Sequence, residues 1–108
     1  MAKVVFIGAG SLGFTRGLVR DLLTFPLLRD AQIALVDINK ERLSFARRAC
    51  EKIIAQGGYP ASLTWSTDRR EVLADADAVM VTILSGSTDI WQHDILIPKK
   101  YGVDTNIG

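Results

Sequence analysis

"VVFIGAGSLGF", residues 4–14, sets three glycines into an otherwise almost wholly apolar stretch. Three readings compete: the apolar core of a signal peptide, a buried strand that tolerates glycine, or a loop where a ligand meets bare backbone. The flanks decide between them. Residues 3–7, "KVVFI", form a nearly continuous apolar run, the pattern of a strand buried on both faces. From Leu12 onward, Leu18, Val19, Leu22 and Leu23 recur at helical spacing until Pro26 ends the pattern. A cleaved leader needs no amphipathic continuation carrying Thr15, Arg16 and Arg20. The glycines therefore stand where a strand turns into a helix.

Further along, "QIALVDI" (32–38) reads as a second strand, and "KERLSFARRACEKIIAQGG" as a second helix. Leu43, Ala46, Cys50 and Ile53 share one face of that helix, and Gly57–Gly58 supplies its stop. "SLTWS" (62–66) is a short third strand, followed by a brief helix that Thr67 or Asp68 can cap. "AVMVTIL" (78–84) is a fourth strand, apolar enough to be central in a sheet. Strands alternating with helices predict an α/β fold, a parallel sheet of about four strands with helices on both faces.

In that setting Gly8, Gly10 and Gly13 form G-x-G-x-x-G at the strand-to-helix turn, the mark of a Rossmann-type dinucleotide site. The first glycine permits the tight turn, the second lets a pyrophosphate approach the backbone, and the third lets the helix pack closely on the strand. Free N–H groups at the helix start, with its positive dipole end, hold the phosphates. Asp37, at the end of the second strand, can accept hydrogen bonds from the adenosine ribose and would repel a 2′-phosphate. NAD is therefore expected rather than NADP, although Arg42 lies close by in sequence. The expected cofactor-binding set is Gly8, Gly10, Ser11, Leu12, Gly13, Asp37, Ile38 and Asn39.

The 108 residues suit one small domain, 1–108. With 48% hydrophobic and 23% charged residues, a packed core is expected and disorder is not. A net charge of +1 with scattered Lys and Arg lacks the basic footprint of a nucleic-acid binder. No apolar run approaches the roughly 20 residues of a membrane span. Cys50 is the single cysteine, so no internal disulfide can form. A cytoplasmic protein without nucleic-acid or membrane partners is expected.

The remaining reactive residues point to no chemistry. His93, the lone histidine, reads as a solvated or structural residue, with a proton shuttle as the alternative. Cys50, on the apolar stripe of the second helix, reads as packing, and Asp75 and Asp77 as turn residues. Trp65 and Trp91 could serve core or ligand. No Cys/His cluster has metal spacing, and there is no nucleophile elbow. The chain is expected to hold no catalytic residue and no metal ligand.

Several stretches together, "FIGAGSLGFTRGLVRDLL", "ALVDINKERL", "STDRREVLADADAVMVTI" and above all "DILIPKKYGVDTNIG", resemble the amino-terminal part of glycoside hydrolase family 4. The "IPKKYGV" element separates this family from hydroxy-acid dehydrogenases, which share the dinucleotide motif. The resemblance implies NAD- and metal-dependent glycosidase chemistry: transient oxidation at the sugar C3, loss of the C2 proton, elimination of the glycosidic bond, addition of water and return of the hydride. Family 4 stands among the exceptions to the two-carboxylate scheme of most glycosidases. A divalent metal, usually Mn²⁺, assists.

By resemblance the family's glycine loop falls on Gly8, Gly10 and Gly13, and its ribose acid on Asp37. The family's turn after the fourth strand falls on Ser85–Gly86–Ser87, where many members carry Gly-Gly. The metal-binding cysteine and histidine and the catalytic base lie beyond these residues, so an inactive, truncated NAD-binding portion is expected. The lack of the arginine-rich pattern of phospho-glycosidases leans toward a non-phosphorylated sugar substrate. A homo-oligomer is expected. The alternatives are a stand-alone dinucleotide-binding module and a fragment of a hydroxy-acid dehydrogenase.

Overall fold

Two largely apolar strands side by side anchor the structure, a computed structural model that describes residues 1–83 and 86–105. Strand β1 (Lys3–Ile7) and strand β2 (Gln32–Val36) run parallel, in register from Lys3 opposite Gln32 to Ile7 opposite Val36. Strand β3 (Ser62–Ser66) pairs with β2, and strand β4 (Ala78–Val81) with β1. All pairs are parallel, in the order β3-β2-β1-β4. This is the order of the first half of a doubly wound sheet. The chain leaves β1 toward β2 but returns to its other side as β4, so a crevice opens over the carboxyl end of β1.

Alternate residues of β1 and β2 serve opposite faces, as the period of two requires. Val4, Phe6, Ile33 and Leu35 meet helix α1 (Leu12–Leu23) and helix α2 (Lys40–Gly57) through Val19, Leu22, Leu23, Leu43, Ala46 and Cys50. Val5, Ala34 and Val36 face the other way, onto Val72, Leu73 and Ala76. There a 3-10 helix at Arg69–Glu71 and the segment after it provide the cover. The two long helices therefore share one face, and the second face has only this thinner layer. Helix α2 ends at Gly58 in the left-handed region, φ 61°, as its glycines predicted.

Two strand boundaries differ from the sequence reading. β2 stops at Val36 rather than 38, because the Asp37 carboxylate and Asn39 are drawn into the turn that starts α2. β4 stops at Val81 rather than 84, and Leu84 lies outside the described residues. Apolar as it is, β4 lies at the edge, as a sheet of four strands requires: among the described residues only β1 pairs with it, and Val79 and Val81 are 43% and 58% exposed. Beyond it, the short helix α3 (Thr88–Trp91) and helix α4 (His93–Lys100) pack chiefly on each other. The radius of gyration, 16.4 Å, exceeds the roughly 13 Å of a compact domain of this size, as this projecting pair requires.

Candidate functional site

The carboxyl ends of β1, β2 and β4 surround a cleft of about 660 Å³. Its floor is the glycine loop. Gly8 and Ala9 both donate their N–H groups to the Val36 carbonyl, each at 2.9 Å, which turns the chain sharply out of β1. Gly8 has φ +89°, and a Cβ there would lie 2.6 Å from the Thr82 carbonyl oxygen. No other residue fits that turn.

Gly10 is crowded for a different reason. Its N–H donates to Asp37 Oδ2 at 2.7 Å, while Asn39 N–H donates to Asp37 Oδ1 at 2.8 Å. A Cβ on Gly10 would sit 2.5 Å from that Oδ2 and 2.8 Å from Arg42 Cβ. Each carboxylate oxygen thus accepts one backbone N–H and keeps a further lone pair for a ligand. Sequence reasoning brought Gly10 and Asp37 to one site; the structure adds that they touch.

Gly13 is a correction. A Cβ at this position would meet nothing within 4 Å, so close packing of helix on strand is not what the glycine provides. Gly13 lies on the exposed side of α1, and the contact with the sheet is made instead by Thr15, Val19, Leu22 and Leu23. Buried Thr15 donates its hydroxyl to the Ala9 carbonyl at 2.7 Å and ties the helix to the loop. That role escaped the sequence reading, although Thr15 continues the stripe of Val19 and Leu22 at helical spacing.

The start of α1 has no cap. Ser11, at the N-cap, turns its hydroxyl to the Thr82 carbonyl at 3.3 Å rather than to the helix, and no acidic residue stands in the first turn. The first N–H groups of a helix have no partner within it, and here no side chain supplies one. An anion is the natural complement. Helix α2, by contrast, is capped by Asn39, whose Oδ1 accepts from Arg42 N–H at 3.0 Å.

Gly8, Ser11, Asp37, Ile38 and Asn39 line the cleft, whereas Gly10, Leu12 and Gly13 do not. Thr67, Arg69, Thr82, Ile83 and Gly86 also line it, and of these the resemblance points only to Gly86, as part of the turn after the fourth strand. All but Gly86 closely follow the carboxyl end of β3 or β4, the rule that could have found them. Within the turn Ser85–Gly86–Ser87, Ser85 lies outside the described residues.

The other candidates fall elsewhere. Cys50 is fully buried against the core, and burial, reinforced by the Glu51 carboxylate, pushes its thiol up to about 11. His93 is exposed at the start of α4. Asp75 occupies a turn at φ 61°, and Asp77 accepts the Lys3 N–H at 2.8 Å. Trp65 is half exposed outside the core, with the Arg47 guanidinium 4.5 Å from its ring centroid. Trp91 is also exposed. Among the described residues no three His, Cys, Asp or Glu side chains converge as a metal site. No helix there is long and apolar enough to cross a membrane.

The sequence and the fold are both similar to those of known proteins. The alpha-galactosidase of Rhizobium meliloti (strain 1021) is 38% identical over 106 residues, which cover 98% of this chain and 22% of that protein. The alpha-glucosidase of Erwinia rhapontici is 32% identical, covering 98% of this chain and 24% of its own length. A 6-phospho-alpha-glucosidase from gut microorganisms, solved in complex with NAD and glucose-6-phosphate, superimposes with a TM-score of 0.73 at 27% identity. That match covers 94% of this chain and 23% of the solved one. The 6-phospho-beta glucosidase of Thermotoga maritima shares the fold, with a TM-score of 0.72 at 21% identity over 94% of this chain and 24% of its own. The chain thus spans about a quarter of the length of the relatives it matches. The model of "Family 4 glycosyl hydrolase" matches residues 3–108, and the chain belongs to that family.

Proposed function

We infer that residues 1–108 form a single NAD-binding domain, the cofactor-holding part of a family 4 glycosidase. The observation that carries this reading is the pairing of an uncapped helix start with a fixed carboxylate in one cleft. The residues fit the dinucleotide. The N–H groups at the start of α1 would hold the pyrophosphate, and Gly10, by having no side chain, lets the Asp37 carboxylate lie against the loop. Asp37, already oriented by two backbone N–H groups, would accept the ribose hydroxyls and turn away a 2′-phosphate. Ser11, Leu12, Gly13, Ile38 and Asn39 complete the proposed set.

When bound, NAD supplies a hydride acceptor for a sugar hydroxyl, the first requirement of the family's oxidation–elimination route. This chain's own residues bind and orient; they neither take the C2 proton nor ligate a metal. Cys50 is sealed in the core and His93 lies on the projecting helix pair, so the two do not converge. The divalent metal, expected as Mn²⁺, and the base are assigned to the intact enzyme. Glycoside hydrolysis, in the cytoplasm and on a non-phosphorylated sugar, is proposed for that protein, and the alpha-galactosidase relative favours such a substrate.

Calorimetric titration with NAD and NADP tests the reading. NAD should bind more tightly, and tighter binding of NADP would remove the role given to Asp37. The chain should not cleave nitrophenyl glycosides of glucose, galactose or galacturonic acid, even with Mn²⁺ and a reductant. Turnover that survives repurification would place the chemistry within these residues. Self-association along β4 is proposed as well, because its outer edge is apolar and unpaired among the described residues. A monomer by light scattering at high concentration would count against it.

A further inference from the structure

Past Asp37 the cleft ends on residues from two neighbouring strand ends. β2 and β3 are in register from Gln32 opposite Ser62 to Val36 opposite Ser66, so Asp37–Ile38 and Thr67–Arg69 leave the sheet side by side. Ile38 lines the cleft yet is 94% exposed, an apolar face with nothing packed on it. Arg69, from the 3-10 helix after β3, lines the same cleft. Its neighbour Arg70 is committed to Asp68, with Nε 3.1 Å and Nη2 3.3 Å from the carboxylate oxygens. Arg69 has no ion-pair partner among the described residues.

We propose that Arg69 recognises the adenine ring, its guanidinium plane stacking on the base with Ile38 as the facing apolar wall. This rests on the dinucleotide reading above. A cation near the ribose could instead meet a 2′-phosphate. Asp37, however, is held by two N–H groups where that phosphate would have to go, and its charge opposes one. What remains useful of Arg69 is its flat, weakly hydrated face, which stacks on aromatic rings as a lysine ammonium does not.

The test compares shape with charge. Arg69→Ala should weaken NAD binding about fivefold, the effect of one exposed stacking contact. Arg69→Lys should recover little of it, and raising the salt should leave the loss in place. Affinity for nicotinamide mononucleotide, which has no adenine, should be the same in all three proteins. Full recovery by lysine, or a loss that vanishes in salt, would show a charge contact and overturn the proposal, as would an unchanged Arg69→Ala. Failure of the unmodified chain to bind NAD would instead overturn the dinucleotide reading, and this assignment with it. Arg69 is exposed, so its variants should fold, and circular dichroism checks that they do.

Discussion

The two long helices begin a few residues after neighbouring strands, yet their first turns are built in opposite ways. α2 starts on Asn39, whose side chain caps it, with Glu41 in the first turn. α1 starts on Ser11, which bonds elsewhere, with no acidic residue in the first turn. Both starts carry the same partial positive charge. The chain neutralises one and leaves the other open at the cleft. On the proposed reading, what separates a structural helix start from a binding one is the absence of a cap that the same sequence readily supplies elsewhere.

That contrast can be broken most severely at its hinge. Gly8→Val would combine a positive φ with a backbone clash against Thr82 and should lower stability by about 3 kcal/mol in urea unfolding. Asp37→Ala should weaken NAD binding by about 1–3 kcal/mol by calorimetry, the loss of hydrogen bonds to a charged acceptor. Asn39→Ala removes the cap of α2 and should lower stability by about 1 kcal/mol in the same unfolding assay. Ser11→Asp should have the smallest and most telling effect. By giving α1 the acidic start it lacks, it should raise stability by up to about 1 kcal/mol while weakening NAD binding. A Ser11→Asp variant that gains stability and binds NAD unchanged would show that the helix start is not where the phosphates lie.

The sequence reading was strongest where local and tertiary demands agree. β1 and β3 have the spans read for them, 3–7 and 62–66, and α1 runs from Leu12 to Leu23. The Gly10–Asp37 pair was legible because a dinucleotide turn requires both residue types at set places. The composition of β4 suits a central strand and only the count of four strands puts it at the edge, since an apolar strand reads alike whether or not a neighbour covers it. Helices α3 and α4 passed unseen for a similar reason. Pro98 interrupts the second, and apolar Ile90, Leu96 and Ile97 are exposed, so no stripe faces a core. Arg69 has no motif of its own; only the meeting of two strand ends brings it to the cleft.

Cys50 makes the interior of this domain observable in time. A thiol with its pKa near 11 rather than the ordinary 9 is both shielded and short of thiolate at neutral pH. An alkylating reagent should therefore modify the protein only during moments when α2 lifts from the sheet, and the labelling rate counts those moments. Stability contributed by the protonated thiol is complete below pH 9 and should fade as the pH rises toward 11, so labelling should accelerate across that window beyond what thiol ionisation alone explains. If NAD clasps the β1–α1 turn to the end of β2, adding it should slow the labelling at pH 7. A single buried sulfur, remote from the cleft, would then act as a clock for how often the cofactor's platform comes apart.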